Sequence, residues 1–484
     1  MKLMELLAHM PIRSVKGDTN VDITGLTKDS RQVKEGYIFF ATKKSESYIQ
    51  DVTQKGARAI VADRELEIPV PCLIIADNTQ ALLGAMASKF YGFPSRNLTV
   101  VGITGTNGKT TTSYLIESIL KTAHKGVALI GTISHRYNGH TFKAENTTPG
   151  AVELQALLKE ICDARCDYVI MEVSSHALDQ HRVEGIDFDC AVFTNLTHDH
   201  LDYHGDIEHY LEAKKRLFSY FLPQSSKQER YALLNLDDPI SQDLMPPKPI
   251  QTFFFSLHKP ADAYVIAAME DIHGLYLDVS LFGSPLQLHS PLIGMFNASN
   301  ILASSLVSHL MGIPHETIKQ GIETLHSVPG RLERVKNEKG VTVFIDYAHT
   351  PDALTKVLDM LNRIKKGKLV LVFGCGGDRD RRKRPIMGNI ASRFADLTII
   401  TSDNPRSEDP QKIIEDIQKG FRGNSFKIIP DRREAIIEGI RSVQEHDILL
   451  VAGKGHEDYQ IIGNTVIHFS DKEVVEEALD VAHT

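Results

Sequence analysis

The stretch Val100-Val-Gly-Ile-Thr-Gly-Thr-Asn-Gly-Lys-Thr-Thr-Thr112 decides the fold. A buried strand is predicted over Leu98 to Val101, the glycines make a turn, and apolar spacing at Leu115, Ile119 and Leu120 predicts a helix over Thr110 to Leu120. Gly105 and Gly108 leave backbone N–H groups free to converge on oxygens. The helix N-terminus adds positive potential, Lys109 adds a point charge, and Thr110 can hold Mg2+. The stretch therefore reads as a phosphate site rather than a plain glycine-rich turn. It is a variant loop: the glycine that usually stands five positions before Gly108 is replaced by Ile103, flanked by Gly102 and Gly105.

Working outward, strand and helix patterns alternate from Leu98 to about Pro329, which predicts a parallel sheet with right-handed crossovers. A strand over Asp167 to Val173 ends in Glu172-Val-Ser-Ser-His176. The next, Cys190 to Leu196, runs into Asn195-Leu-Thr-His-Asp-His-Leu-Asp-Tyr-His204. Both polar clusters stand at carboxyl strand ends, where open α/β sheets bind ligands. A helix over Ile207 to Phe221 carries Lys214, a strand covers Leu233 to Asp238, antiparallel hairpins are expected over Phe253 to Leu288 with a turn at Gly274, and Asn297 and Asn300 open a helix reaching Met311.

Before this unit, residues 1–97 mix short β-like runs at Tyr37 to Ala41, Ala59 to Ala62 and Cys72 to Ala76 with a helix over Thr79 to Phe90. Pro94 and Ser95 form a linker. After it, strands at Val341 to Ile345, Lys368 to Phe373, Leu397 to Thr401 and Ile448 to Ala452 each end in a polar loop. Those loops are Asp346-Tyr-Ala-His349, Gly374-Cys-Gly-Gly-Asp-Arg379, Ser402-Asp-Asn-Pro-Arg406 and Gly453-Lys-Gly-His-Glu457. The expectation is an α/β protein of three domains, 1–97, 98–330 and 331–484, in keeping with 484 residues at about 150 per domain.

A net charge of −8 argues against non-specific binding to nucleic acid or anionic membranes. Five scattered cysteines lack the spacing of a zinc site and fit a reducing cytosol. Glu5 and His9 interrupt the leucines of the N-terminus, and no apolar run is long enough to span a bilayer, so a cytoplasmic protein is predicted.

Several groups admit two readings. His198, Asp199, His200, Asp202 and His204 suit either a transition-metal site or a polar loop around Mg2+ and phosphate; the second is preferred because the phosphate loop already demands a divalent cation. Glu172, a hard anionic oxygen donor at a strand end, suits Mg2+. By spacing alone Lys214 is a solvated helical lysine, and Arg379 to Arg384 is a solvated patch or an anion site. Asp29-Ser30-Arg31 is a surface turn or a nucleotide contact. In Asp403-Asn404-Pro405-Arg406, a planar guanidinium beside an amide suits a carboxylate, while Glu457 suits an ammonium; together they suit an amino-acid zwitterion, and a capped turn is the alternative.

Gly105-Thr-Asn-Gly-Lys-Thr-Thr111, Asn146-Thr-Thr-Pro149, Glu172-Val-Ser-Ser-His-Ala177, Asn195-Leu-Thr-His-Asp-His200, Asp346-Tyr-Ala-His-Thr-Pro351 and Gly453-Lys-Gly-His-Glu457 together resemble the Mur ligases of peptidoglycan synthesis, over nearly the whole chain. The resemblance implies an N-terminal domain for the uridine nucleotide, a central P-loop ATPase and a C-terminal Rossmann-like domain for the incoming amino acid. It implies a cytoplasmic, monomeric, ATP- and Mg2+-dependent ligase adding meso-diaminopimelate to UDP-N-acetylmuramoyl-L-Ala-D-Glu through an acyl phosphate. Domain closure is expected, because the nucleotide motifs lie in the centre and the amino-acid loops beyond Arg331.

Roles implied by the resemblance fall on matching positions. Gly105, Thr106, Asn107, Gly108, Lys109, Thr110 and Thr111 would hold ATP phosphates, with Asn297, Arg331, Asp346 and His349 as further ATP contacts. Thr110 and Glu172 would hold one Mg2+; His200 and a carbamylated Lys214 would serve a second. Asn146, Thr147, Thr148, Ser174, Gln180 and Arg182 would bind the UDP-muramoyl dipeptide, with Ser30 near the uracil. Arg379, Asp403, Asn404, Pro405, Arg406, Gly453 and Glu457 would bind diaminopimelate, Arg406 pairing with the carboxylate that lysine lacks. The N-terminal domain departs from the family after Phe39-Phe40-Ala41, where Thr42-Lys-Lys-Ser-Glu-Ser-Tyr48 replaces an expected glycine and Asp-Gly-His. A lysine-adding ligase, a folylpolyglutamate synthase and a binding-only protein are the alternatives.

Overall fold

Strand Thr99–Thr104 lies at the middle of an 11-stranded sheet. In this computed structural model, which describes residues 1–42, 45–66, 70–337 and 340–481, the strand order runs Ser284–Ser290, Gly274–Leu281, Ala263–Asp271, Gln251–Ser256, Tyr231–Asn235, Cys190–Phe193, Thr99–Thr104, Tyr168–Glu172, Val127–Ile130, Ser134–Tyr137 and His140–Lys143. The strands from Ala263–Asp271 to Val127–Ile130 pair in parallel, and both flanks are antiparallel hairpins. The sheet is thus mixed rather than parallel throughout. The hairpin Ser134–Lys143 escapes a sequence reading because its two short strands are polar and one is fully exposed.

The central strand is buried on both faces, as parallel strands between helices are. Val101 and Ile103 pack with Leu115 and Ile119 of helix Lys109–Thr122, while Val100 packs with Val169 and Phe188 beneath. The strand extends to Thr104, beyond the expected end at Val101, since Gly102 sits where an added Cβ would meet the Phe188 ring at 2.7 Å. Ile103 is therefore a core residue, and the turn itself is made only by Gly105 to Gly108.

Before this sheet, five strands order as Ser14–Gly17, Cys72–Ile75, Ala59–Ala62, Tyr37–Phe40 and Gly25–Thr27. After it, six strands order as Glu333–Val335, Thr342–Asp346, Ile448–Ala452, Leu369–Phe373, Leu397–Ile400 and Phe426–Ile428, all parallel except the first. Their carboxyl ends carry the four polar loops that follow Asp346, Phe373, Ile400 and Ala452.

Arg432 and Asp471 clamp this last sheet from below. Both are fully buried, joined at 2.7 Å through Nε and Nη2, and Arg432 also donates to the carbonyls of Ser402 and Ala452. Breaking one side of such a pair strands a buried charge. Asp471→Asn is expected to lower unfolding free energy by roughly 3 kcal/mol, measured by urea titration; a loss under 1 kcal/mol would show the pair to be dispensable.

Candidate active site

The phosphate turn owes its shape to two glycines. Gly105 (φ +145°) and Gly108 (φ +88°) have left-handed backbones, and an added Cβ would lie 1.9 Å from Thr194 Oγ1 or 2.4 Å from Asn300 Oδ1. The turn is bolted to the neighbouring strand end: Asn195 O accepts from Thr106 N at 2.8 Å, Asn195 Oδ1 accepts from Asn107 N at 3.0 Å, and Thr194 Oγ1 donates to Asn107 O at 2.6 Å. Lys109 folds back over the turn and donates to Gly105 O at 2.8 Å and Thr106 O at 2.9 Å. Burial depresses its pKa, and Glu172 pulls against that.

Glu172 gathers the oxygen donors. Thr110 Oγ1 donates to its Oε2 at 2.9 Å, Thr132 Oγ1 to the same oxygen at 3.0 Å, and Thr132 N to Oε1 at 2.9 Å. Thr132 was not anticipated, although it stands just past the carboxyl end of Val127–Ile130, the same position that marks the other site residues. Thr147 Oγ1 lies 3.1 Å from Thr132 Oγ1. Thr148 is buried, donates to Glu172 O at 2.8 Å and accepts from Ser174 N at 3.1 Å; Arg182 donates to Thr148 O and to Gln180 Oε1. Thr147, Thr148, Ser174, Gln180 and Arg182 thus form one network, whereas Asn146 is exposed on the turn before it. Ser30 stands away from it on the N-terminal sheet, after Gly25–Thr27, where its carbonyl accepts from Lys55.

Lys214 is not a solvated lysine. It is 1% exposed and donates to Gly105 O at 2.9 Å. The reason was written in the pattern: Tyr210, Ala213, Lys214, Leu217, Phe218 and Phe221 make one buried stripe, and Lys214 occupies a position within it. Burial, aided by Lys109, drives its pKa well below the ordinary range of a lysine, which favours the neutral amine. The helix is α only from Ile207 to Arg216 and continues as a π turn through Phe221.

The histidine segment gathers aromatic rings, although His198, His200, Asp202 and Tyr203 remain exposed. His200 lies 4.9 Å, centroid to centroid, from His176 and 6.1 Å from Tyr210; His204 Nε2 lies 3.0 Å from Ser175 Oγ. Desolvation holds His200 below its usual pKa and, with His200 and Arg182 beside it, takes His176 down to about 4. Burial opposes ionisation of Asp199, but His200 and His349 outweigh it and hold the carboxyl below its ordinary range. Among the described residues, no three His, Cys, Asp or Glu side chains converge on one point.

The C-terminal sheet closes the other side. Arg331 Nη2 donates to Thr110 Oγ1 at 3.3 Å, and Asn107 Nδ2 donates to Asp352 Oδ2 at 3.3 Å. Asp346 is fixed by Leu332 N and Ala348 N; burial raises its pKa. His349 Nδ1 lies 2.8 Å from Tyr347 O, and burial lowers its pKa. Between the two sheets lies a cavity of about 420 Å³, lined by the turn residues from Thr106 to Thr111 together with Glu172, His200, Lys214, Asn297, Arg331, Asp346 and His349.

Beyond Tyr347, which lines this cavity, lies the second polar group. Asn404 Nδ2 donates to Glu457 Oε2 at 2.9 Å, and Tyr347 OH reaches Glu457 Oε1 at 3.5 Å. Burial lifts the Glu457 pKa against the pull of Lys454. Asp403 caps Asn404 N at 2.6 Å, Pro405 is buried with its carbonyl against Gly377, and Gly453 packs on Asp403. Arg406 Nη1 donates to Gly377 O at 2.8 Å; its Nε and Nη2 have no partner among the described residues. Arg379 is exposed, donates only to Asp378 O, and faces Asp202 across an open cavity of about 380 Å³. Of the cations after it, Arg381 and Arg382 are exposed, whereas Lys383 donates to His349 O at 2.9 Å and Arg384, 1% exposed, pairs with Glu408 and Asp416.

This geometry places the glycine turn and the buried carboxylate of Glu172 around one cleft, with the polar cluster of Asn404, Arg406 and Glu457 beyond Tyr347. The Mur ligase middle domain model matches residues 103–308, and the Mur ligase glutamate ligase domain model matches 330–455. The chain is 42% identical to the UDP-N-acetylmuramoyl-L-alanyl-D-glutamate–2,6-diaminopimelate ligase of Geobacillus kaustophilus, over 99% of each chain, and 43% identical to that of Geobacter metallireducens, over 98% of each. A solved structure of a ligase of that name superimposes with a TM-score of 0.73 at 33% identity, covering 100% of this chain and 99% of the other. Near-complete coverage in both directions, together with matching models on both large sheets, means that the chain belongs to the Mur ligase family.

Proposed function

We propose that this chain is an ATP-dependent ligase that joins meso-diaminopimelate to UDP-N-acetylmuramoyl-L-Ala-D-Glu in the cytoplasm, as a monomer, during peptidoglycan precursor synthesis. One observation carries the choice of amino acid. Arg406 holds one guanidinium nitrogen on Gly377 O and keeps its other edge uncommitted, beside the Asn404–Glu457 pair. An open planar fork suits a carboxylate, and Glu457 suits an ammonium. The distal centre of diaminopimelate offers both.

A carboxylate resists amide formation because its oxygen is a poor leaving group. The γ-carboxylate of the D-Glu residue attacks the γ-phosphorus of ATP, the bond to the bridging oxygen breaks, and ADP leaves an acyl phosphate. The amine of diaminopimelate then attacks the acyl carbon, inorganic phosphate departs with the bonding pair, and the nitrogen gives up a proton. Lys109 and the amides of the turn hold the β- and γ-phosphates, and Arg331 meets them from the opposite sheet. Thr148, Ser174, Gln180 and Arg182 position the muramoyl dipeptide, with Ser30 toward the uracil. Closure of the C-terminal domain brings Arg406 and Glu457 to the acyl carbon.

Thr110 Oγ1 and Glu172 supply the hard oxygens that Mg2+ prefers, and Glu172 is a buried carboxylate whose hydrogen-bond partners among the described residues, Thr110 and Thr132, are uncharged, so the donor set fits. Bound there, Mg2+ would neutralise charge on the transferring phosphoryl group. His200 would serve a second ion with Lys214 as a carbamate. The neutral amine of Lys214 is the form that adds to CO2, its nitrogen bonding to carbon and releasing a proton. Enzyme equilibrated with 13C-bicarbonate should give a carbamate carbon signal that is missing in Lys214→Arg; an identical signal in both would refute the modification.

Phosphate release by the purified chain with ATP, Mg2+ and UDP-N-acetylmuramoyl-L-Ala-D-Glu tests the whole reading. Release with diaminopimelate and little with L-lysine supports it. Preference for lysine would overturn the role given to Arg406, and silence with both would overturn the ligase assignment.

A further inference from the structure

Lys454 is wholly buried, and two of the three oxygens it touches belong to Asn404 and Glu457 of the amino-acid pocket. Its Nζ donates to Tyr459 O at 2.5 Å, to Glu457 Oε2 at 3.2 Å and to Asn404 Oδ1 at 3.5 Å. A buried ammonium is expensive to desolvate, and an apolar side chain of its length would fill the same space without that cost. What the charge adds is orientation.

Asn404 Oδ1 accepts from Ile461 N at 3.0 Å as well as from Lys454. Two donors on one side of the amide settle which end is oxygen. The amide nitrogen must then face Glu457, where it donates to Oε2 at 2.9 Å. Oε2 thus has two donors, one of them charged. Among the described residues, Oε1 has only the Tyr347 hydroxyl, at 3.5 Å. The two oxygens of one carboxylate are in different states: one is spent inside the protein, the other keeps a single long contact, to Tyr347, which itself lines the cavity.

We propose that Lys454 is a positioning residue for amino-acid selection: by committing Glu457 Oε2 and the Asn404 amide, it presents Glu457 Oε1 alone to the ammonium of the incoming diamino acid. This rests on the ligase reading above. The ammonium group of Lys454 also supplies a counter-charge that works against the rise in the Glu457 pKa caused by burial and by Asp403.

Lys454→Met keeps the chain length and removes the charge. It is expected to raise KM for diaminopimelate by roughly 30-fold, with KM for ATP and for the UDP-muramoyl dipeptide unchanged within about twofold. The acid limb of kcat/KM for diaminopimelate should also move up by about one pH unit, because Glu457 without its ammonium neighbour takes up a proton sooner as pH falls. A packing role alone would move neither the substrate-selective KM nor the acid limb. Equal rises in all three KM values, or an unchanged KM for diaminopimelate, would overturn the proposal. Should Lys454→Met not fold, Glu457→Gln and the double variant Lys454→Met/Glu457→Gln decide it, since the double variant buries no lone charge. Equal diaminopimelate KM in those two supports action through Glu457, and a further rise in the double variant refutes it. A wild-type chain that ligates no diaminopimelate would overturn both this proposal and the ligase reading; an active wild type with an insensitive Lys454→Met would overturn this one alone.

Discussion

Lys109→Met is expected to slow phosphate release by roughly a thousandfold or more, a loss of about 4 kcal/mol in transition-state stabilisation. The side chain of Lys109 is half-buried, and among the described residues its ammonium is held only by the carbonyls of Gly105 and Thr106. Carbonyls are weak partners for a full charge, so the site is built to receive an anion. During transfer, negative charge spreads over the phosphoryl oxygens, and a fixed cation in a water-poor cleft acts on it with little screening. Methionine keeps the length and the apolar stem. Stability should change little or improve, since a partly compensated, half-buried charge disappears. Single-turnover phosphate release and a thermal melt check both halves; a rate within tenfold of wild type would remove Lys109 from the chemistry.

Arg406→Ala is expected to collapse the preference for diaminopimelate over lysine by roughly a thousandfold, almost all of it through lower kcat/KM for diaminopimelate. In wild type, lysine would leave the open edge of the guanidinium without a partner in a desolvated pocket, which is the usual origin of strong rejection. Removing the fork abolishes both the reward and the penalty. The fold should hardly notice, because among the described residues the Arg406 side chain hydrogen-bonds only to Gly377 O and Asn404 O, and alanine meets the same left-handed backbone (φ +51°) that arginine already accepts. Competition between the two amino acids, read as product ratio, is the measurement. An unchanged ratio would move the selectivity elsewhere in the pocket.

What the sequence by itself determined is the set of features whose physics is local. Gly105, Gly108, Lys109 and Thr110 lie at fixed offsets in one turn, and a turn's backbone needs are visible in its own residues. The rule that ligands gather at carboxyl strand ends then picked out Glu172, Asn195, Asp346, Asn404 and Glu457 without coordinates. The extent of the strand containing Ile103 was misread for the same reason: a glycine inside a strand looks like its end until the Phe188 ring that requires it is in view. Lys214 shows a pattern that was present and outweighed, since a lysine in an apolar stripe reads as solvated until the stripe is seen to be wholly buried.

Only the tertiary structure decided which side chains share a charge. Lys383 meets a carbonyl 34 positions away, Arg384 finds Glu408 and Asp416, and Lys454 reaches Asn404 across 50 residues. Such partnerships depend on the strand order of the C-terminal sheet, where Ile448–Ala452 lies between Thr342–Asp346 and Leu369–Phe373 and brings distant loops to one edge. Local sequence fixes the chemistry each loop can offer. Which oxygen of Glu457 is spent and which is left open depends on neighbours that only the folded sheet assembles.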